Sequence, residues 1–156
     1  MNTGTITNRR ATFDYALDDE ISVGIVLNGR ETKAARMGHV QLKGSYVTVK
    51  DNELWLINAS FSVPTTALFG AKSAGQAGEN GNGRSVDTRA RKLLAHRKQI
   101  DNLIESKKQG LTIVPVKMRT SGRYIKLVIA TGRGKKKYDK RQTIKKRDVD
   151  REIRRA

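Results

Sequence analysis

The 156-residue chain has no cysteine and only two histidines, His39 and His96. Without thiols there is no disulfide scaffold, no cysteine nucleophile and no cysteine-type zinc site, a composition that fits a reducing cytoplasm. The histidines are far apart in sequence, which argues against a metal or nucleophilic centre built on them. No run of about 18 apolar residues exists, so the pattern excludes a transmembrane helix. Residues Met1–Thr7 lack a charged segment followed by an apolar one, so no signal peptide is expected there. Acid is scarce as well: 15 Asp+Glu stand against 32 Lys+Arg, giving a formal charge of +17 and a pI near 10.5. With 37% hydrophobic residues the chain is too apolar to be disordered throughout. Its length suits one domain burying roughly 70% of its unfolded surface. Polyanion binding is the default reading of such a charge.

The excess charge is unevenly placed. Arg133 to Ala156 hold twelve Lys/Arg against four acids, or +8, and the preceding residues carry the other +9. A moderately basic body is therefore followed by a strongly basic tail. Residues 1–8 are polar and expected to be mobile, 9–132 form the body, and 133–156 form the tail.

Within the body, Ala11–Leu17 alternates and reads as a strand, Asp18-Asp19-Glu20 as a turn, and Ile21–Leu27 as a second strand. Asn28 can cap a short helix from Gly29 that stops at Gly38. Ser45–Lys50 and Glu53–Ile57 flank Asp51-Asn52, a tight-hairpin signal, and the second strand is expected to continue towards Val63. Residues 65–88 are rich in Gly, Ala, Ser and Asn and read as a flexible insertion. A helix is expected from Arg89 to about Gln109, with Leu93, Ile100 and Ile104 on its apolar stripe and Gly110 ending it. Leu111–Met118 and Tyr124–Ala130 form a last hairpin. Six antiparallel strands with one short and one longer helix define an α+β class, mainly β, arranged as a small OB-like barrel.

The tail has helical propensity but no core of its own. Tyr138, Val149 and Ile153 fall within about 60° of one another on a helical wheel, and Ile144 does not. The expectation is a segment unfolded when free and helical on a polyanion.

Catalytic constellations are absent from the pattern. Gly132-Arg133-Gly134-Lys135 has neither the spacer nor the Ser/Thr of a phosphate loop, and reads as a strand exit. Asp18-Asp19-Glu20 reads as a solvated turn rather than a metal site. Glu31, in the first helical turn, either interacts with the helix dipole, worth about 0.3–1 kcal/mol, or accepts hydrogen bonds from an RNA base edge or ribose hydroxyl. No metal or cofactor is expected.

Six blocks occur together in register: Asn8-Arg9-Arg10-Ala11; Gly29-Arg30-Glu31-Thr32-Lys33-Ala34-Ala35-Arg36; Ser45-Tyr46-Val47; Arg89 to His96; Gly110 to Pro115; and Gly134-Lys135-Lys136-Lys137-Tyr138-Asp139-Lys140-Arg141. In order and spacing they resemble the SmpB family, the SsrA-binding proteins of bacterial trans-translation. The resemblance implies an OB-like barrel that binds the tRNA-like domain of transfer-messenger RNA. It also implies delivery with elongation factor Tu to the A site of stalled ribosomes in the bacterial cytoplasm. The tail is then implied to enter the empty messenger channel and fold against 16S rRNA of the 30S subunit, with no covalent chemistry by the protein and no membrane partner.

Carried onto this chain, the resemblance makes Asn8, Arg9, Glu31, Lys33, Arg36, Arg91 and Lys92 contacts of the tRNA-like domain. Lys126, Arg133, Lys135 and Lys136 join them. Lys137, Tyr138, Asp139, Lys140, Arg141, Lys145, Lys146, Arg147 and Arg151 become the ribosome-binding tail, with Tyr138 stacking near the decoding centre. The chain departs from the family in a longer, more glycine-rich 65–88 segment and in Asp87, where a proline is usual. The alternative is a ribosomal protein or initiation factor with an OB barrel and a basic extension.

Overall fold

The structure, a computed structural model, describes residues 4–64, 79–80, 84–120 and 122–155. In chain order the elements are β1 (Thr5–Thr7), α1 (Arg9–Asp14), β2 (Tyr15–Ile25), α2 (Gly29–Arg36), β3 (Val40–Gln41), β4 (Tyr46–Lys50), β5 (Glu53–Ile57) and β6 (Ser60–Pro64). There follow β7 (Glu79–Asn80), β8 (Arg84–Asp87), β9 (Arg91–Leu94), α3 (Arg97–Lys108), β10 (Thr112–Arg119), β11 (Lys126–Gly134) and α4 (Lys137–Arg155).

The main sheet runs β1-β10-β11-β2-β9-β5-β4, and a further pairing of β4 with β10, Val47 opposite Ile113, brings its ends together. Strands β10, β11, β2, β9, β5 and β4 therefore form a ring of six, the number expected from the sequence and one more than the five of a plain OB barrel. Val23, Leu54, Leu56, Leu93, Ile113, Met118, Leu127 and Ile129 fill it, and Leu103 of α3 packs into the same core. A second antiparallel sheet, β3-β6-β8-β7, lies under α2.

Locally encoded elements form where the residues require them. Asp51 and Asn52 take φ 53° and 59°, the left-handed pair that a two-residue hairpin needs. The Asn28 side chain accepts from Glu31 N–H at 2.9 Å, and Glu31 accepts from Asn28 N–H at 2.9 Å, closing a capping box at the start of α2.

Six expectations are corrected. The ring has six strands, but not the six that were expected. Residues 11–14 belong to α1 rather than to a strand, because the Asn8 side chain caps that turn. Asp18-Asp19-Glu20 continue β2 instead of breaking it: their side chains are exposed, and β11 carries the ladder past them with a register shift between Ala130 and Gly132. The helix expected from Arg89 begins only at Arg97; Arg91–Leu94 is the sixth strand of the ring, paired with both β2 and β5. Thr5–Thr7, expected to be mobile, pair with Lys117–Arg119. The predicted continuation to Val63 is interrupted at Asn58, where φ 61° turns the chain into the second sheet as β6. Of the expected insertion, 79–80 and 84–87 form strands, and 65–78 and 81–83 lie outside the described residues.

Candidate nucleic-acid interface

Of the candidate contact residues, three are buried. Glu31 and Arg91 are both 0% exposed. Arg91 Nη2 lies 2.9 Å from Glu31 Oε1, and its Nε donates to the same oxygen at 3.0 Å. Its remaining donors reach the carbonyls of Ala59 (3.0 Å), Arg89 (2.8 Å) and Asp87 (3.1 Å), and its guanidinium stacks 3.9 Å from the Phe61 ring centroid. Arg89 grips the same carboxylate from the solvent side, Nε to Oε1 at 2.8 Å and Nη2 to Oε2 at 2.7 Å.

Burial would raise the Glu31 pKa, but the Arg89 hydrogen bonds, the Asn28 N–H and the Arg91 charge outweigh it and hold the carboxyl below its ordinary 4.5. Burial pulls Arg91 below its usual value against the opposing charge of Glu31, whereas the hydrogen bond to Glu31 raises Arg89. Neither the Glu31 nor the Arg91 side chain reaches the surface, and all their polar atoms are already paired within the chain. Glu31 is more than a favourable charge at a helix dipole. It ties α2 to the segment between β8 and β9.

Asn8 is the third. It is 5% exposed, and its amide donates to the carbonyls of Leu42 (3.0 Å) and Pro115 (2.9 Å) while its oxygen caps α1. Its place is at a junction of three segments.

The exposed cations divide between two ends of the barrel. Lys33 and Arg36 project from α2, and Arg36 donates to the carbonyls of Gly122 (3.3 Å) and Arg123 (3.2 Å), fixing the turn that leads to Lys126. Tyr124 in that turn is exposed, with the Arg123 guanidinium 5.5 Å from its ring centroid. Arg133 is at the far end of β11, opposite Ala16, about 23 Å away by strand rise. At that end Arg9 and Arg10 of α1, Lys135 and Lys136 cluster beside a groove of about 570 Å³ lined by Arg10, Asp14, Tyr15, Lys43 and Tyr46. Lys92 lies apart from both ends on β9, half-exposed and paired with Glu53 at 2.5 Å. Barrel, buried clamp and two basic ends are features that a structured polyanion could read.

The family described as "SmpB protein" matches residues 5–156. The chain belongs to the SmpB family. It is 42% identical over 151 residues to the SsrA-binding protein of Lysinibacillus sphaericus (strain C3-41), covering 96% of this chain and 88% of the relative. The SsrA-binding protein of Halalkalibacterium halodurans is 39% identical with coverage of 96% and 89%. A solved chain described as "tmRNA-SmpB: a journey to the center of the bacterial ribosome" aligns with TM-score 0.57 and 34% identity, covering 85% of each chain.

As a member of the SmpB family, the chain carries its tail residues on α4. Lys137, Tyr138, Asp139, Arg141, Lys145, Lys146, Arg147 and Arg151 are exposed, Lys140 is half-buried, and no α4 residue is buried. The sequence reading missed Arg89, the solvent-side grip on Glu31, and Asp14, whose carboxylate lies 2.9 Å from Arg10 Nε and 3.2 Å from Lys140 Nζ. The signal for Arg89 was present in the Arg-x-Arg spacing: alternate residues of an extended segment share a face. Asp14 had only its i−4 relation to Arg10 to mark it.

Proposed function

We propose that the chain is the RNA-binding adaptor of trans-translation, which binds the tRNA-like domain of transfer-messenger RNA and helps deliver it to the A site of stalled ribosomes. The observation that carries this reading is the family match from residue 5 to 156, spanning body and tail alike. The exposed cations Lys33, Arg36 and Lys126 at one end of the barrel, and Arg9, Arg133 and Lys136 with the half-buried Lys135 at the other, contact the phosphates of the tRNA-like domain. Lys92 serves there only by releasing Glu53. Glu31, Arg91 and Asn8 act through the shape they hold.

In the ribosome the tail occupies the empty messenger channel. Tyr138, Lys137 and Asp139-Lys140-Arg141 lie nearest the decoding region, and Lys145, Lys146, Arg147 and Arg151 lie along 16S rRNA of the 30S subunit. The distal turns of α4 are ordered by that RNA, because like charges such as Arg147–Arg151 and Arg151–Arg155 repel without it. Elongation factor Tu is the partner in delivery, and the bacterial cytoplasm is the compartment. The protein performs no covalent step itself. Among the described residues no helix is long and apolar enough to cross a membrane.

A gel shift comparing transfer-messenger RNA with an ordinary tRNA of similar size tests the reading. The expected result is binding to the former at concentrations that leave the latter free. Equal affinity for both would contradict it, as would failure to support peptide tagging on ribosomes stalled at a truncated message.

A further inference from the structure

Three residues at the tip of the β10–β11 hairpin, Arg119, Arg123 and Tyr124, do little for the fold. Arg119, the last residue of β10, stands directly opposite Lys126, the first of β11. Both side chains are exposed, because the next pair along the ladder, Met118 and Leu127, points into the core. Like charges facing each other across a ladder destabilise it. Neither cation has a carboxylate partner among the described residues. Their neighbours in the same row are Thr5 on β1 and Gly24 on β2, and Glu20, further along β2, is taken by Lys117 at 2.9 Å. An anion from outside the chain would relieve the repulsion.

The turn beyond this pair is fixed from two sides. Arg36, at the end of α2, donates to the carbonyls of Gly122 (3.3 Å) and Arg123 (3.2 Å), and Ile125, 8% exposed, anchors the return into β11. Gly122 takes φ 95°, a conformation open to glycine. Between these anchors Tyr124 is 67% exposed. The Arg123 guanidinium lies over one face of its ring, 5.5 Å from the centroid, and the other face is left to solvent. A flat ring with a free face, held in place and surrounded by Arg36, Arg119, Arg123 and Lys126, has the make-up of a stacking platform beside a phosphate site. A continuous duplex offers phosphates but no open base face. The combination therefore fits a nucleotide whose base is unstacked.

We propose that the hairpin tip is a nucleotide subsite: Arg119 and Lys126 take a phosphate, Tyr124 stacks on the unpaired base beside it, and Arg36 positions the turn that carries the ring. The proposal deepens the adaptor reading and rests on it for the identity of the RNA, a loop nucleotide of the tRNA-like domain. Arg36 then has two parts to play. Its charge serves the phosphates, and its planar fork fixes Tyr124.

Titrations of the full-length chain with transfer-messenger RNA over a range of salt separate these parts. Tyr124→Ala is expected to weaken binding about tenfold with an unchanged slope of log K against log salt, since stacking releases no counterions. Tyr124→Phe should stay within twofold of the parent. Arg119→Ala should reduce the slope by about one. Arg36→Lys keeps the charge but loses the fork, so it should weaken binding at an unchanged slope, and add nothing further when combined with Tyr124→Ala. Fluorescence reads the stacking directly: Tyr124→Trp in a Trp55→Phe background leaves a single tryptophan, whose emission RNA should quench. Affinity of Tyr124→Ala within twofold of the parent, or emission unmoved by saturating RNA, would overturn the subsite. A loss shared by Tyr124→Phe would assign the contact to the hydroxyl and overturn stacking. A parent chain that binds ordinary tRNA equally well, with the same tenfold loss in Tyr124→Ala, would overturn the adaptor reading and leave the subsite standing.

Discussion

Glu31 and Arg91 behave unlike the surface charges around them. A buried ion pair is weak evidence for added stability, yet removing one partner strands the other without water. Glu31→Ala would leave the buried Arg91 only the more distant Asp87 carboxylate, 3.7 Å from its Nη2, at a cost of about 3–5 kcal/mol. For a chain of this size that lowers the thermal midpoint by about 6–20 °C. Arg89→Ala, from a side chain 46% exposed, removes only the solvent-side grip and should cost much less. Scanning calorimetry on both variants checks the order; equal midpoints would mean that Glu31 is not the centre of the clamp. The same group predicts an acid limb. Because the folded Glu31 pKa is below its ordinary 4.5, its contribution is complete above that value and is lost as pH falls through the folded pKa. Asp14, lowered by its hydrogen bond with Arg10, acts in the same direction. Glu31→Gln should therefore flatten the midpoint-versus-pH curve below about pH 4.5 without abolishing its slope. The motif around Glu31 was legible as a marker of kinship, but its burial was not. Nothing in Gly-Arg-Glu-Thr-Lys states that two arginines, about 60 residues later, will close over the carboxylate.

Elements written in local chemistry were read correctly, and elements written in distant pairing were not. The Asp51-Asn52 hairpin, the Asn28 cap and the β10–β11 hairpin each follow from a few adjacent residues. Strand β9 does not, because Arg91-Lys92-Leu93-Leu94 favours helix by propensity and becomes a strand through pairing with both β2 and β5. Strand β2 likewise runs through three consecutive acids because β11 supplies the ladder. That ladder has a narrow point at Gly132, where an added Cβ would lie 2.7 Å from the Ala16 carbonyl oxygen and 3.1 Å from Leu17 Cδ2. Gly132→Ala must push β2 and β11 apart, with an expected loss of about 1–3 kcal/mol. Gly134→Ala, two residues on, meets nothing within 4 Å and should change stability by about 0.5 kcal/mol or less. Urea midpoints for the two variants separate close approach from the general effect of removing a strand glycine. Similar losses in both would refute the close-approach argument.

At the scale of the whole molecule, the charge of +17 divides between a body that holds its cations on a rigid barrel and a tail that holds them on a helix with no core. The two parts should be separable by salt as well as by truncation. Neutralising 6–10 phosphates makes affinity fall by about 10³–10⁵ between 50 and 200 mM salt. If the body alone grips transfer-messenger RNA, a chain ending at Lys136 should keep that slope within about one ion of the full-length value, since each phosphate contact contributes about one. The same truncation removes α4, none of whose residues is buried, so the thermal midpoint should stay close to the parent's. Tagging on stalled ribosomes should nevertheless disappear, because the cations and Tyr138 proposed to face the ribosome are gone. Measuring log K against log salt for both chains, with tagging in parallel, decides among three divisions of labour. A slope that collapses on truncation would assign transfer-messenger RNA binding to the tail. Tagging that survives would remove the tail from the reaction, and a preserved slope with lost tagging is the outcome that a rigid reader with a separately acting helix requires.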